Sequence, residues 1–385
     1  MQPTDDPRPR SLVVAHPSPD LYGSDRQLLE TVGALVRAAW TVTVVLPDDG
    51  PLVAELEARG ARAVLVPYPV LRKAELHPRR LPGLLAGLAR ATVGSARALR
   101  RERPDAVLVN TLTVPSWLAA AGLAGVPALC HVHEAEEDQP TAVRFLLAAQ
   151  LLAARVVVAN SHAAAEVLRR SVPRLARRTR VVHNGVPGPV DEPTPPRREL
   201  DGAAHLALVG RLSPRKGVDV ALDAVRLLRE EGRDVRLTVC GTPFAGYEWY
   251  EQELASRAAS APLEGAVQLL GYVRPTWPVL AGCDVALVPS RVEPFGNTAV
   301  EALLARRPLV ASRTQGLREV VRDGETGLLV PPGDPRALAD AIATLLDDRA
   351  LASDLATRGR VDALDRFSVD AYARQVVRAV EDTVG

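Results

Sequence analysis

The sequence predicts an α/β protein of two domains, in each of which a mostly parallel β-sheet is covered by helices on both faces. The chain has 385 residues, of which 47% are hydrophobic. It is too long to form one ordinary core, and its length suits two domains of under about 200 residues each. Short apolar runs alternate with longer segments of helical spacing, which is the pattern of repeated βαβ units. A stretch with five prolines, residues 187–202, separates two such series and indicates an interdomain linker.

The first series predicts an N-terminal domain at residues 1–187. Its longer segments predict helices at Arg26 to Ala38 and Leu81 to Arg101. Six short apolar or β-branched runs predict its strands: Leu12 to Ala15, Thr41 to Leu46, Ala63 to Val66, Ala106 to Val109, Ala128 to His131 and Arg155 to Ala159.

The second series predicts a C-terminal domain at residues 203–366, after a linker at 188–202. A final helix within residues 367–385, from about Val369 to Val384, is expected to pack back on the N-terminal domain. Two such Rossmann-like domains are expected to face each other across a cleft, because ligands bind at the carboxyl ends of parallel strands. The six predicted strands are Leu206 to Val209, Arg236 to Cys240, Val267 to Leu270, Val285 to Val288, Leu309 to Ala311 and Gly327 to Val330.

The composition indicates which kinds of binding partner and which cellular compartment to expect. With 47 basic against 46 acidic residues, no overall field recruits nucleic acid, and none is expected as a partner. The three cysteines have no metal-ligand spacing, which is typical of a reducing compartment. The first residues are acidic and proline-rich, so we expect no signal peptide and a cytoplasmic protein. No run of 18 apolar residues predicts a membrane span.

The most informative segment runs from Gly282 to Ile342. Its strand Val285 to Val288 leads into a loop and then a helix from about Thr298, with Asn297 as the predicted N-cap. The start of such a helix offers amide groups to an anion. Glu293 and Glu301 lie eight residues apart, where carboxylates suit sugar hydroxyls and the paired hydroxyls of a ribose. Without further context, such a pair is more simply interpreted as an exposed loop acid and a surface helix acid.

The segment GRLSPRKGVD, which follows the strand beginning at Leu206, places Arg211 and Lys216 around a tight Ser-Pro turn. Such a turn can direct both cations at one diphosphate. It contains neither a Walker loop nor a GxGxxG turn. In isolation a solvated basic loop remains an equal interpretation.

The Gly282 to Ile342 segment resembles the retaining glycosyltransferases of the GT-B fold, family 4, whose E-x7-E signature here takes the form EPFGNTAVE. The resemblance implies that Glu293 contacts the donor sugar and Glu301 the ribose. It also implies that the backbone amides of Phe295, Gly296 and Asn297 lie near the sugar and the diphosphate.

Two further segments of the C-terminal domain are similar to donor-binding elements of the same family. GRLSPRKG resembles its diphosphate motif, which implies that Arg211 and Lys216 bind the phosphates and meet the charge on the leaving group. The GYV of Gly271 to Val273 resembles the segment whose backbone meets the nucleobase, which makes Tyr272 and Val273 donor-binding candidates.

The N-terminal domain contributes a loop, HPSPDLYGSDRQLLE, in which family members usually carry a Gly-Gly pair. Tyr22 stands at the first glycine position, while Gly23 and Arg26 match. Gly23 is therefore a donor-binding candidate, and Arg26 is assigned to the acceptor side. The Tyr22 departure weakens the resemblance in this loop.

The segment CHVHEAEED ends the strand that begins at Ala128. The family carries a histidine at this strand end, beside the reacting sugar, and His133 followed by Glu134 is the better match. His133 is thus a catalytic candidate, with His131 in reserve and Glu134 beside it on the acceptor side. The open alternatives are that His131 is a packed strand residue and His133 an ordinary loop residue.

A stretch from Leu76 to Arg101 contains no acidic residue, and arginines interleave with leucines along it. It predicts a basic amphipathic helix in peripheral contact with an anionic membrane at its inner face. A surface helix with an arginine-rich face is the other interpretation. Six arginines carry the positive charge: Arg79, Arg80, Arg90, Arg97, Arg100 and Arg101.

The resemblance implies a hexosyltransferase that retains the anomeric configuration, with a UDP-, GDP- or dTDP-linked sugar as co-substrate and a glycan or lipid-linked acceptor. The sequence contains no D-x-D, so neither a metal nor any other cofactor is expected. The alternatives are a nucleotide-sugar epimerase or hydrolase of similar fold and a sugar-nucleotide sensor without turnover.

Overall fold

The structure is a computed structural model that describes residues 9–71, 81–135, 137, 139–244 and 246–385. The chain divides into two compact units. The N-terminal unit comprises the described residues up to Gly185 together with Val369–Gly385, and the C-terminal unit is Val186–Ser368. Each unit contains one sheet whose paired strands are all parallel, with helices packed on it. The predicted fold class of two Rossmann-like α/β domains is thereby confirmed.

The N-terminal sheet has seven strands in the order β3-β2-β1-β4-β5-β6-β7. Because β1 lies between β2 and β4, the strand order reverses at β1, and ligands of open α/β sheets bind at such a point. The strands are β1 Ser11–Ala15, β2 Thr41–Leu46, β3 Arg62–Leu65, β4 Ala106–Val109, β5 Ala128–Val132, β6 Val156–Ala159 and β7 Thr179–Val181.

Six helices of the N-terminal unit follow these strands. One apolar cluster joins α1 and α2 to the sheet, and a second joins α3 and α4 to it. The helices are α1 Gly23–Arg37, α2 Pro51–Ala58, α3 Leu81–Glu102, α4 Pro115–Ala124, α5 Thr141–Ala149 and α6 His162–Ser171, with 3-10 turns at Gln150–Ala153 and Pro173–Arg177.

The C-terminal sheet has six strands, β8 Ala204–Val209, β9 Val235–Cys240, β10 Val267–Leu269, β11 Val285–Val288, β12 Leu309–Ser312 and β13 Leu328–Val330. Their order is β10-β9-β8-β11-β12-β13, so β8 and β11 are neighbours at the point where this sheet reverses. Its helices are α7 Val218–Glu230, α8 Glu248–Ala258, α9 Trp277–Ala281, α10 Asn297–Leu304, α11 Leu317–Val320, α12 Pro335–Asp347 and α13 Arg349–Phe367, with a 3-10 turn at Pro214–Lys216.

The last helix, α14 Val369–Val384, belongs to the N-terminal unit. Its apolar face joins the core beneath α1 through Tyr372, Val376 and Val380. The Tyr372 hydroxyl lies 2.5 Å from Thr31 Oγ1 on α1. The N-terminal unit is therefore built from both ends of the chain.

Two details differ from the sequence predictions. The edge strand β7, only three residues long, was not predicted. Helix α10 begins at Asn297, and its N-cap is Gly296 rather than Asn297. The reason is the backbone of Gly296, which has φ +115° and sits so close to Leu317 that a Cβ would lie 2.6 Å from Leu317 Cδ2. Only glycine fits that turn.

Within the described ranges, no helix combines the length and the apolar character that a membrane crossing requires.

Candidate active site

Where β8 and β11 end, the C-terminal unit pairs a buried carboxylate, Glu293, with a half-buried ammonium, Lys216. Glu293, in the loop after β11, is 7% exposed, and its Oε2 accepts hydrogen bonds from Lys216 Nζ at 2.5 Å and Ser290 Oγ at 3.1 Å. Burial by itself raises the pKa of Glu293, but the charges of Lys216 and Arg215 and these hydrogen bonds bring it below its usual value. Glu293 is therefore an ionised carboxylate.

This pair has hydrogen-bonding capacity that the described residues do not use. Glu293 Oε1 accepts no hydrogen bond from the part of the chain that the structure describes. The Lys216 ammonium has three N–H donors, of which one is directed at Glu293. A sugar hydroxyl could donate to Oε1 while a phosphate oxygen accepts from the ammonium.

The loop that carries Lys216 is fixed against the loop that carries Glu293. The Arg291 backbone N–H donates to Arg215 O at 2.8 Å, and Arg291 Nη1 donates to Pro214 O at 2.7 Å. At Gly217, with φ +68°, an added Cβ would lie 2.1 Å from Pro289 O. The two backbones therefore touch, and only glycine permits that approach.

A second ion pair fixes these loops from behind. Arg291 donates to both oxygens of Asp219 at 2.8 and 2.7 Å, and Tyr250 donates its hydroxyl to Asp219 Oδ1 at 2.7 Å. Burial by itself raises the pKa of Asp219, but the hydrogen bonds from Arg291 and Tyr250 lower it by more. The pKa of Asp219 therefore lies below its usual value. Sequence reasoning did not single out these three residues, although Asp219 and Arg291 both lie in segments that it recognised.

Arg211, the other predicted phosphate ligand, lies in the loop after β8. Its guanidinium carbon lies 3.2 Å from the centre of the Phe244 ring, a stacking arrangement that holds the guanidinium plane. Phe244 follows β9, and the backbones after β8 and β9 are joined by a bridge between Leu212 and Pro243. The structure therefore places Arg211 and Lys216 on one loop, each held by a different neighbouring strand end.

The other donor-binding residues predicted in the C-terminal unit lie at the same edge of its sheet. Phe295 is buried and its ring packs edge-on against Phe367 at 5.6 Å, so only its backbone is available to a ligand. Glu301 is partly buried on the second turn of α10. Tyr272 is exposed and Val273 half-buried in the turn after β10.

The N-terminal unit brings together polar side chains that directly follow β1, β4 and β5. His16 Nε2 lies 2.7 Å from Asp25 Oδ1, and His16 Nδ1 lies 3.0 Å from Asn110 Nδ2. Asn110 Oδ1 then lies 3.0 Å from His133 Nε2. Burial and the neighbouring His131 and His16 hold the pKa of His133 well below its usual value. The catalytic candidate His133 is thus a neutral imidazole at the end of a chain of buried groups that sequence reasoning missed.

Glu134 supports the same loop. Its Oε2 accepts the backbone N–H of His133 at 2.9 Å, and its Oε1 accepts the Thr111 hydroxyl at 2.7 Å. These bonds join the loops after β4 and β5. Glu134 therefore holds the backbone of His133 in place.

His131, the reserve candidate, lies inside the unit. It is 1% exposed, and neither ring nitrogen has a hydrogen-bond partner among the described residues. Its ring lies 4.1 Å from that of His133 and 6.3 Å from that of Tyr372. Burial lowers the pKa of His131 to about 3. This environment favours His133 over His131 as the group that meets a ligand.

The loop with the unusual Tyr22 is ordered by Asp25. Tyr22 is the N-cap of α1, and its backbone N–H donates to Asp25 Oδ2 at 2.8 Å. Gly23, the first residue of the helix, is exposed, and Arg26 is half-buried one turn later. Asp25 therefore holds this loop with one oxygen and His16 with the other.

The basic segment of the N-terminal unit lies on α3. Residues 76–80, including Arg79 and Arg80, lie outside the described residues. Leu84 and Leu99 face the core, whereas Leu81, Leu85 and Val93 are exposed. Helix α3 thus presents an exposed apolar row beside four exposed arginines: Arg90, Arg97, Arg100 and Arg101.

Two family models match this chain. The family model described as Glycosyltransferase Family 4 matches residues 22–187, and that described as Glycosyl transferases group 1 matches residues 203–348. The D-inositol 3-phosphate glycosyltransferase of Nocardioides sp. is 32% identical over 81% of this chain and 73% of its own length. The chain therefore belongs to the family 4, or group 1, glycosyltransferases.

Two further relatives are similar to this chain, and a solved structure shares its fold. A glycogen synthase of Mycobacterium tuberculosis is 32% identical over 71% of this chain and 67% of its own length. The match to the D-inositol 3-phosphate glycosyltransferase of Corynebacterium glutamicum is 36% identical and spans about half of each protein, 49% of this chain and 46% of the relative. HepE of Anabaena, solved with UDP and glucose, has a TM-score of 0.80 at 24% identity and covers 96% of this chain and 99% of its own. The fold is that of the GT-B glycosyltransferases.

Proposed function

We propose that this protein moves a hexose-type sugar from a nucleotide-diphosphate sugar to an acceptor, with retention of the anomeric configuration and without a metal. The observation that carries the proposal is the ion pair of half-buried Lys216 with buried Glu293 at the reversal point of the C-terminal sheet. A carboxylate with one open oxygen beside an ammonium with open donors fits a sugar joined to a diphosphate.

In the proposed reaction, the bond between the anomeric carbon and the diphosphate oxygen breaks while the acceptor oxygen attacks from the same face. The departing diphosphate takes the bonding electrons and accepts the proton of the acceptor hydroxyl. Lys216 and Arg211 stabilise its charge, and one well-placed donor of this kind is worth about 3 kcal/mol. Glu293 Oε1 and His133 orient the sugar. Glu301 on α10 is assigned to the ribose, and Tyr272 and Val273 to the base.

UDP-sugars are the donors to test first, because HepE of similar fold was solved with UDP and glucose. GDP- and dTDP-sugars follow. The acceptor class that we propose is a polar hydroxyl compound of glycan or glycolipid synthesis. The named relatives, which include D-inositol 3-phosphate glycosyltransferases and a glycogen synthase, support this range.

We also propose that α3 contacts an anionic membrane, which would bring a lipid-linked acceptor to the N-terminal unit. The exposed row of Leu81, Leu85 and Val93 lies on a helix with no acidic residue before Glu102. Apolar side chains flanked by arginines suit the boundary between headgroups and acyl chains. Co-sedimentation with vesicles of anionic lipid should be lost in a Leu85→Gln, Val93→Gln variant and weakened by salt. Vesicle binding that neither the double variant nor added salt reduces would contradict a membrane role for α3.

The proposed donor chemistry is tested by nucleotide release. Purified protein is incubated with UDP-, GDP- and dTDP-sugars in EDTA, with and without a lipid extract, beside a Glu293→Gln variant. We expect slow release of one nucleotide that the variant lacks. Binding without release would indicate a sensor, an altered free nucleotide sugar would indicate an epimerase, and no binding of any donor would refute the proposal.

A further inference from the structure

The chain of buried groups in the N-terminal unit has a fixed direction of hydrogen-bond donation. Asp25 is 2% exposed; its Oδ1 faces His16 Nε2 at 2.7 Å and the Ser24 hydroxyl at 3.4 Å, and its Oδ2 accepts the Tyr22 backbone N–H at 2.8 Å. A carboxylate only accepts, so His16 Nε2 carries a proton. His16 Nδ1 faces the Asn110 amide nitrogen, which only donates, so Nδ1 carries a lone pair.

The same reasoning continues through Asn110 to His133. With its nitrogen directed at His16, Asn110 presents its carbonyl Oδ1 to His133 Nε2 at 3.0 Å. A carbonyl only accepts, so His133 Nε2 carries the proton. The Nδ1 atom of His133 has no hydrogen-bond partner among the described residues. In a neutral imidazole it is then the lone-pair atom.

We propose that Asp25, His16 and Asn110 are positioning residues that fix His133 as the Nε2–H tautomer, so that His133 Nδ1 is offered to the substrate as a hydrogen-bond acceptor. The role of His133 toward the sugar rests on the proposed function. The tautomer does not, because it is a property of the free protein. Each of these three residues acts on the substrate only through His133.

The proposal predicts that one isosteric change at the far end of the chain reverses every donor along it. In Asp25→Asn, the single amide oxygen is retained by the Tyr22 N–H, and the amide nitrogen faces His16 Nε2. His16 then shifts its proton to Nδ1, the Asn110 amide turns over, and His133 receives a donor at Nε2. His133 becomes the Nδ1–H tautomer and offers a donor where it had offered an acceptor.

Asn110→Asp is the matched change with the opposite expected outcome. A carboxylate at residue 110 still accepts from His133 Nε2, so the Nε2–H tautomer is retained. If Asp25 and Asn110 merely filled space, these two isosteric substitutions would not have opposite effects on the tautomer of His133. Asp20→Asn is the control, because Asp20 is an exposed residue of the same loop whose hydrogen bonds with the described residues go to Ser18 alone.

The experiment is long-range 1H–15N NMR of protein labelled with 15N-histidine, in which the seven histidines report their tautomers by their nitrogen shifts. Loss of one signal set in His133→Gln assigns His133. We expect Nε2–H in the wild type, Asp20→Asn and Asn110→Asp, and Nδ1–H in Asp25→Asn. An Nδ1–H tautomer in the wild type, a doubly protonated His16 in the wild type, or an unchanged His133 in folded Asp25→Asn overturns the proposal.

Turnover separates this inference from the proposed function. With the best donor, Asp25→Asn should lower kcat roughly a hundredfold while the donor KM changes little, and Asn110→Asp should lower kcat less. If the tautomer of His133 reverses without any change in turnover, the chain of hydrogen bonds is supported, but a role of His133 in catalysis is contradicted. Should Asp25→Asn not fold, the wild-type and Asn110→Asp tautomers decide the inference by the same criteria.

Discussion

The two units hold their candidate residues by different physical means. In the C-terminal unit the site is built from ions: Lys216 pairs with Glu293, and Arg291 with Asp219. In the N-terminal unit it is built mainly from neutral amides and imidazoles, with Asp25 at the far end from His133. Charges suit the half assigned to a diphosphate, and neutral groups in fixed tautomers suit a half assigned to hydroxyl groups. The comparison predicts that the C-terminal site responds to changes of charge and the N-terminal site to changes of donor and acceptor.

The largest effect is expected at Lys216. Lys216→Met should lower kcat/KM for the donor by about a thousandfold, because it removes the charge on the diphosphate and leaves Glu293 buried without its cation. Steady-state nucleotide release measures this. Arg226→Met, at an exposed arginine of α7, should leave the rate unchanged. Retention of more than a tenth of the activity in Lys216→Met would show that charge does not dominate this half.

A smaller effect is expected at His133. His133→Ala should lower kcat by about a hundredfold and leave the donor KM nearly constant, since a neutral acceptor orients the sugar and contributes little to binding the diphosphate. The same release assay gives both constants. His205→Ala, at an exposed histidine of β8, is the control. An effect confined to KM would contradict the assignment.

A still smaller effect is expected at Asp219, which acts on Lys216 through Arg291. Asp219→Asn weakens the two bonds from Arg291, and a bond to a charged group is worth about 1.5 to 3 kcal/mol. The donor Kd, measured by calorimetry, should rise about tenfold. An equal change in the Kd of the unlinked sugar would show that Asp219 does not act through the phosphate site.

Almost no change in activity is expected at His131, but a change in acid stability is. Its pKa is lowered to about 3 in the folded protein, against an ordinary 6.5, so the unfolded state binds the extra proton between those values. Stability therefore falls as the pH drops below 6.5, by up to about 1.4 kcal/mol per pH unit. His131→Leu should reduce this slope between pH 6.5 and 5, as followed by urea unfolding. An unaltered slope would indicate that His131 is solvated.

The sequence predicted most strands of both sheets because parallel strands buried on both faces are apolar runs. The edge strand β7 was not predicted, because its sequence, Thr-Arg-Val, contains no such apolar run. Lys216 and Glu293 were candidates because each belongs to a motif of fixed order, although they are 77 residues apart. His16 opens the segment HPSPDLYGSDRQLLE but was not a candidate there, and no motif contains Asn110; the two residues are 94 apart and meet through the pairing of β1 with β4. A usable signal existed: each is the first polar residue after a predicted strand.

The return of α14 to the N-terminal unit has a consequence for how the protein is made. The ribosome completes β1 to β7 early, but their core lacks Tyr372, Val376 and Val380 until the last residues emerge. The 183 intervening residues of Val186–Ser368 take roughly 10 to 40 s to synthesise. During that interval the nascent N-terminal half presents an uncovered apolar surface beside α1, while the C-terminal half can already fold. The half that is translated first is therefore the half that is finished last.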